Sequence, residues 1–271
     1  MNHNKQKKIA LINDFTGFGR CSITVQLPII SSQKIQCCPI PTSIFSNHTG
    51  FSHYYMSDFT NQMEDYITQW KELNLKFSGI CTGFLGSEKQ IDIVHNFIDQ
   101  FKDDNTIVIV DPVMGDNGKT YSTYNQSMCD NLFSLVCKAD IVTPNLTEAC
   151  ILTKTRYKEK ITKGELNIIA NKILSYGPSK VVITGIQQNT FVSNYCLEKG
   201  KEAKWVKTKK VGESRCGTGD IFTSIIASDA INNIDFYKSV KHASQFVKKC
   251  IEKTVALDIP LSDGVCFEEV I

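Results

Sequence analysis

Cys216-Gly217-Thr218-Gly219-Asp220 stands directly before the apolar residues 221–227. Two glycines permit a tight turn and leave backbone amides uncovered, and a helix starting here aims its first unpaired N–H groups at the same point. That chemistry holds an anion, above all a phosphate. A carboxylate beside such a pocket is costly unless it has a task. One reading makes Asp220 a capping or helix-dipole residue. The other makes it the acceptor of a proton from a hydroxyl that attacks the bound phosphorus. The pentapeptide by itself favours the first, because short Gly-x-Gly runs are common. Cys216 reads first as a small side chain lining a nucleotide pocket, and second as a thiol activated by the anion loop.

The elements that must position this loop follow from the pattern. Residues 8–12 form a short apolar run ending at Asn13-Asp14, then Gly17 and Gly19, which predicts a buried strand opening into a tight loop. A helix is expected near residues 22–32, a strand at 35–40 and polar punctuation at 46–50. Phe59, Met63, Tyr66, Ile67 and Trp70 give residues 55–73 a helical spacing. A strand at 77–82 ends at Gly83. Ile91, Val94, His95, Ile98 and Phe101 mark another helix, with His95 a core or boundary residue. Thr106-Ile107-Val108-Ile109-Val110 is β-branched throughout and delivers Asp111-Pro112 to its end. Residues 139–143 deliver Pro144-Asn145 and then Glu148. A helix over 166–176 stops at Gly177-Pro178, a strand follows at 180–185, two more polar strands at 191–197 and 203–211, and two helices after the glycine loop. This alternation predicts an α/β fold with a mainly parallel sheet covered on both faces. Ligands bind beyond the C-terminal ends of such strands. Asp14, Gly83, Asp111, Asn145, Glu148 and Thr184 would share that rim with the glycine loop. Converging carboxylates repel one another, and Mg²⁺ with a polyphosphate would reconcile them.

The 271 residues suit one α/β domain, residues 1–271, without repeat or linker. Thirty Lys and Arg against 28 Asp and Glu give a formal charge of +2, with no signature of a nucleic-acid or membrane-surface partner. Residues 1–8 lack a secretory apolar core and no run approaches the ~18 apolar residues of a membrane span, so the expected location is the cytoplasm. Eleven cysteines without a Cys-x-x-Cys, and five scattered histidines, predict reduced thiols and no zinc site. Gly115-Asp116-Asn117-Gly118-Lys119-Thr120 has two residues between its glycines where a Walker A loop needs four. Gly17-Phe18-Gly19-Arg20-Cys21-Ser22 ends in Ser where a dinucleotide fingerprint needs Gly or Ala, and the second strand offers no ribose-binding acid. An NAD-dependent oxidoreductase is thereby disfavoured. A non-catalytic nucleotide-binding protein remains a rival, although it has no need of Asp220.

Phe45-Ser46-Asn47-His48-Thr49-Gly50, Thr82-Gly83-Phe84-Leu85-Gly86-Ser87, Asp111-Pro112-Val113-Met114-Gly115-Asp116, Thr143-Pro144-Asn145-Leu146-Thr147-Glu148 and Gly217-Thr218-Gly219-Asp220 occur in that order. Together they resemble the pyridoxal/pyridoxamine kinases of the ribokinase-like superfamily, over nearly the whole chain. The resemblance implies a three-layer α/β/α sandwich and ATP-dependent phosphorylation of the 5′-hydroxymethyl group of a vitamin B6 vitamer. Asp220 would be the general base, and Gly217, Thr218 and Gly219 would supply donors to the transferred phosphoryl group. Asp116 and Glu148 would hold Mg²⁺, with Asp111 and Thr143 framing the metal region and a monovalent cation such as K⁺. Asn145, Thr184, Val211, Cys216 and Gly217 would approach ATP beside Asp111, under a mobile cover at 115–121. Asp14, Phe45, Thr49 and Phe84 would meet the vitamer. Many members of this family carry Ser where this chain has Asp14 and Tyr where it has Phe84. A homodimer is implied. The nearest rival within the superfamily, a hydroxymethylpyrimidine kinase of thiamine biosynthesis, typically places Cys at the position of Asp220.

Overall fold

A computed structural model describes residues 3–271. In chain order the elements are β1 (Lys8–Thr16), α1 (Ile23–Ser32), β2 (Gln36–Phe45), β3 (Met56–Asp58), α2 (Thr60–Glu72), β4 (Gly79–Thr82), α3 (Glu88–Phe101) and β5 (Ile107–Val110). A small hairpin of β6 (Gly115–Asp116) and β7 (Lys119–Thr120) comes next, then α4 (Gln126–Lys138), β8 (Ile141–Val142), α5 (Leu146–Thr153), α6 (Lys163–Ser175) and β9 (Lys180–Gln188). The chain finishes through β10 (Phe191–Glu198), β11 (Lys204–Lys209), α7 (Thr218–Ile231), α8 (Phe236–Ala256) and a short 3-10 turn at Leu261–Asp263.

Nine strands form one sheet in the order β11-β10-β9-β8-β5-β4-β1-β2-β3. The six from β9 to β2 run parallel, and β3 and β10 run against their neighbours. Alternation along β1 explains why both faces must be covered: Ala10 and Ile12 join a core with α2, α3, α4, α5 and α6, whereas Ile9 and Leu11 join one with α1, α7 and α8. All four are fully buried, and each large aliphatic side chain so buried stabilises the fold by roughly 1.5–3 kcal/mol. The expected parallel sheet between two helical layers is therefore present. From β1 the chain passes to β2 on one side, while β4 lies on the other. The crevice beyond the ends of β1 and β4 is thus the topological switch point, where α/β sheets open a site.

Three local expectations change. Residues 55–73 are not helical throughout: Met56–Asp58 pair with β2, and Asp58 Oδ1 accepts from Thr60 N–H at 2.6 Å, which starts α2 only there. The first strand does not end at Asn13-Asp14 but runs to Thr16, kept in register with the long β2 by a bulge between Asn13 and Phe15. Helices α4 and α5 are additional. Asn125 caps α4 through Met128 N–H, and α5 is an eight-residue helix buried along most of its length, whose polar N-terminal residues double as the Asn-x-x-Glu motif. His95 is a boundary residue, half-buried with Nδ1 3.5 Å from Asp99. All eleven cysteines are free thiols. Among the described residues no helix is long and apolar enough to cross a membrane.

Candidate active site

The glycine loop meets the sheet through α7. Gly217 stands at its N-cap with φ +88°, a conformation glycine adopts freely, and a Cβ there would lie 2.2 Å from the Arg20 carbonyl oxygen. Among the described residues no side chain caps α7, so its leading amides remain available to an anion. Thr218 Oγ1 donates to the Arg215 carbonyl at 3.2 Å, and the Cys216 carbonyl accepts from Val265 N–H at 3.2 Å, which fixes the loop on both sides.

Asp220, the third residue of α7, does not fold back to cap its own helix. Its carboxylate turns toward β1 and α1, where Asn13 Nδ2 lies 3.5 Å from Oδ1 and the Ser22 N–H donates to it. Burial pushes the Asp220 carboxyl up to about 6; the Ser22 amide opposes the rise, the charge of Asp14 adds to it and Asn13 opposes it. Ser22 holds a left-handed φ of +59° at the N-cap of α1, and its hydroxyl donates to Asp14 Oδ1 at 2.6 Å. Thr16 donates to Asp14 Oδ2, also at 2.6 Å. Burial raises the pKa of Asp14 against these two hydroxyls. Each carboxylate oxygen keeps a further lone pair for a ligand.

A second acidic group lies beyond β5 and β8. Asp111 Oδ2 accepts from Thr223 Oγ1 at 2.9 Å, and the Thr223 and Thr143 hydroxyls are 3.1 Å apart. Burial pushes Asp111 up to about 7, with the Thr223 hydroxyl opposing, the Asp220 charge adding and Thr143 opposing. Glu148 is buried, and both of its oxygens receive backbone amides: Met114 N–H at 3.1 Å and Asn145 N–H at 2.8 Å. Asn145 completes a reciprocal capping box on α5 and donates to the Gly115 carbonyl at 2.7 Å, tying α5 to the β6–β7 hairpin. Burial drives the Glu148 pKa well up, with the charge of Asp111 adding. Asp116 sits exposed on the hairpin and accepts from Asn117. Thr184 pairs with the segment at Pro144-Asn145, and Val211 is half-buried beyond β11 on the same rim.

Opposite the acids is an aromatic wall. The rings of Phe45 and Phe84 are 6.2 Å apart and edge-on, flanked by Tyr54 at 5.9 Å from Phe45 and Tyr124 at 6.2 Å from Phe84. Such a wall can take a flat apolar ring with polar groups at its border against its surface. Thr49 is exposed in the adjoining loop. That loop is anchored by His48, whose Nδ1 accepts from Gly50 N–H at 3.1 Å; Nε2 therefore carries the proton and donates to the Ser262 carbonyl at 2.7 Å.

The structure thus gathers Asp14, Asp111, Asn145, Glu148, Thr184 and the glycine loop at one rim, with Phe45 and Phe84 beside them, and leaves Asp116 exposed on the β6–β7 hairpin and Thr49 exposed in its loop. Sequence reasoning missed Asn13, Ser22, Gln26 and Thr223. Thr223 was within reach, since it lies three residues after Asp220 on the same helix face. The others act across elements far apart in sequence. Among the described residues no three acidic, His or Cys side chains converge as metal ligands. A divalent cation would fit here by relieving Asp111 and Glu148 while taking most of its ligands from phosphate oxygens and water.

The phosphomethylpyrimidine kinase family model matches residues 28–260. A pyridoxal kinase of Arabidopsis thaliana is 30% identical over 203 residues, which is 69% of this chain, and the match spans 62% of the plant protein. A hydroxymethylpyrimidine/phosphomethylpyrimidine kinase of Aquifex aeolicus is 24% identical over 256 residues, covering 92% of this chain and 90% of that protein. Among solved structures, a candidate phosphomethylpyrimidine kinase of Bacteroides thetaiotaomicron crystallised with pyridoxal is 36% identical, with a TM-score of 0.94 over 98% of this chain and 94% of that one. A family match over most of its length makes this chain a member of the phosphomethylpyrimidine kinase family, with the ribokinase-like fold.

Proposed function

We propose that this chain is a pyridoxal/pyridoxamine kinase, transferring the γ-phosphoryl group of ATP to the 5′-hydroxymethyl group of a B6 vitamer. The observation that carries the reading is Asp220: a half-buried carboxylate with a pKa near 6, turned away from its own helix, at the uncapped N-terminus of α7. It accepts the proton of the substrate hydroxyl as that oxygen attacks phosphorus. The amides of Gly217, Thr218 and Gly219 face the charge that grows on the transferred group, and Cys216 lines the same loop. Asn145, Thr184 and Val211 border the ATP side. Asp111, Thr143, Glu148 and, through water, Asp116 would hold Mg²⁺, which neutralises phosphate charge when bound, and K⁺ would share the Asp111 and Thr143 region. The ring of the vitamer lies against Phe45 and Phe84, with Asp14 and Thr49 at its polar edge. One domain acting in a cytoplasmic homodimer completes the reading.

A second reading, phosphorylation of a hydroxymethylpyrimidine, draws on the family description and on the Aquifex relative. The carboxylate at position 220 and the residue 46–50 loop favour the B6 vitamers. An ADP-release assay with Mg-ATP and, separately, pyridoxal, pyridoxamine, pyridoxine and hydroxymethylpyrimidine tests both. Turnover of a B6 vitamer is expected, with Asp220→Asn losing a factor of ~10²–10⁴ as for removal of a general base. Turnover of the pyrimidine alone would replace the first reading by the second.

A further inference from the structure

Asn13 lies near the end of β1, at the switch point of the sheet, and its side chain has one possible orientation. Oδ1 accepts two backbone N–H groups, from Asp14 at 2.9 Å and from Phe84 at 2.7 Å. The amide nitrogen must therefore face the other way, where it meets Gln26 Oε1 at 2.8 Å and Asp220 Oδ1 at 3.5 Å. Residue 83 is a glycine because a Cβ there would come within 2.5 Å of the Asn13 amide. Gln26, in the first turn of α1, is fully buried, and its own amide nitrogen has no partner among the described residues. An orphaned donor in the core is a standing cost to the fold. A Leu or Met would fill the same space without it, so the retained group of Gln26 is its oxygen, and what that oxygen holds is Asn13.

We propose that Asn13, braced by Gln26, is a positioning residue that pins Oδ1 of Asp220 so that Oδ2 faces the substrate hydroxyl. The assignment rests on Asp220 being the general base. A carboxylate is free to rotate about its last bond, and a proton acceptor serves only when one oxygen is aimed at the hydroxyl. At 3.5 Å the contact is long, leaving room to tighten as substrate arrives. The same N–H counters the surroundings. The titratable groups facing Asp220 are Asp14 on β1, Asp111 beyond β5, and the thiols of Cys21 before α1 and Cys81 on β4. The two carboxylates disfavour a second negative charge beside them, while both thiols stay neutral, which leaves the amides of Asn13 and Ser22 to keep Asp220 ionised.

The experiment compares Asn13→Asp, Gln26→Met and Asp220→Asn in the full chain, reading kcat, KM for ATP and the pH profile of kcat with the best B6 vitamer. Asn13→Asp keeps the acceptor for the Asp14 and Phe84 amides but replaces the donor facing Asp220 with oxygen. Its kcat is expected to fall about tenfold or more, its acidic limb to move up by about one pH unit or more, and KM for ATP to stay within about twofold. Gln26→Met, which frees Asn13 without touching it, shifts the limb the same way by less and keeps or raises the melting temperature. If Asn13→Asp fails to fold, Gln26→Met decides. An unmoved acidic limb in a folded variant overturns the role of Asn13 while Asp220→Asn remains inactive; wild-type turnover by Asp220→Asn overturns the base assignment itself.

Discussion

Gly217 and Gly219 sit two residues apart and answer to different demands, so alanine at each should separate stability from catalysis. At Gly217, φ is +88° and a Cβ would stand 2.2 Å from the Arg20 carbonyl oxygen. Arg20 cannot retreat: its own φ is +47°, Nε is bonded to Glu268 at 2.8 Å and Nη1 to the Asp263 carbonyl at 3.0 Å. Left-handed strain costs an alanine roughly 1–2 kcal/mol, and an overpacking clash against fixed backbone adds roughly 1–3 kcal/mol. A total of about 3 kcal/mol lowers the melting temperature of a chain this size by about 6–12 °C. Gly219 has negative φ, is exposed and would meet nothing within 4 Å. In the first turn of α7 an alanine gains roughly 0.4–1 kcal/mol over glycine, so melting should hold or rise by about 1–4 °C. Its methyl group nonetheless stands where a phosphoryl oxygen must come within about 3 Å of backbone N–H, and kcat/KM should fall by ~10²–10³, as when one oxyanion donor is lost. Thermal melting of the ligand-free variants beside the ADP-release assay reads both effects. Wild-type kcat/KM in Gly219→Ala, or a melting loss in Gly217→Ala smaller than that in Gly219→Ala, would refute the reasoning.

As the proposed base, Asp220 would work deprotonated, and burial raises its pKa to about 6, so kcat should climb with pH through about 6 and then level off. Asp14→Asn removes a like charge and should move that midpoint to lower pH; a midpoint that rises or stays put contradicts the coupling. Thr223→Val takes a hydroxyl from the half-buried carboxylate of Asp111 and should raise KM for Mg-ATP about tenfold, as expected for a hydrogen bond to a charged group; unchanged KM removes Asp111 from the ATP side. His242 on α8 lies 3.0 Å from buried Asp229 on α7, and that hydrogen bond, against partial burial, raises its pKa. A raised folded pKa gives stability that is complete below the unfolded value near 6.5 and lost as pH rises through the folded one. The melting gap between wild type and His242→Gln should accordingly be wide at pH 6 and narrow at pH 9, and an equal gap at both values defeats the ion pair.

Much of this architecture was legible because buried parallel strands carry an unmistakable pattern. Residues 106–110 are β-branched throughout, and the strand they predict is β5. The rim followed from the strand ends, and Asp111, Asn145, Glu148 and the glycine loop do meet there. What stayed hidden has physical causes. Met56–Asp58 is a strand only because β2 offers an edge, which no local propensity records. Asn145 and Glu148 drew attention as ligands, while their spacing is equally that of a helix cap, and the α5 capping box went unread. Asn13 marks only the end of an apolar run and Gln26 falls unremarked within the helix expected near 22–32; their meaning depends on Asp220, 207 residues from Asn13.

Residues 260–268 bind three loops from distant parts of the chain: Pro260 accepts from Arg215, Ser262 from His48, and Asp263 and Glu268 from Arg20, while Gly264 passes so close to Gly19 that a Cβ would sit 2.3 Å from its carbonyl oxygen. One short segment therefore cross-braces the loops before α1, after β2 and before α7, so that an error in it alone would slacken three walls of the rim at once.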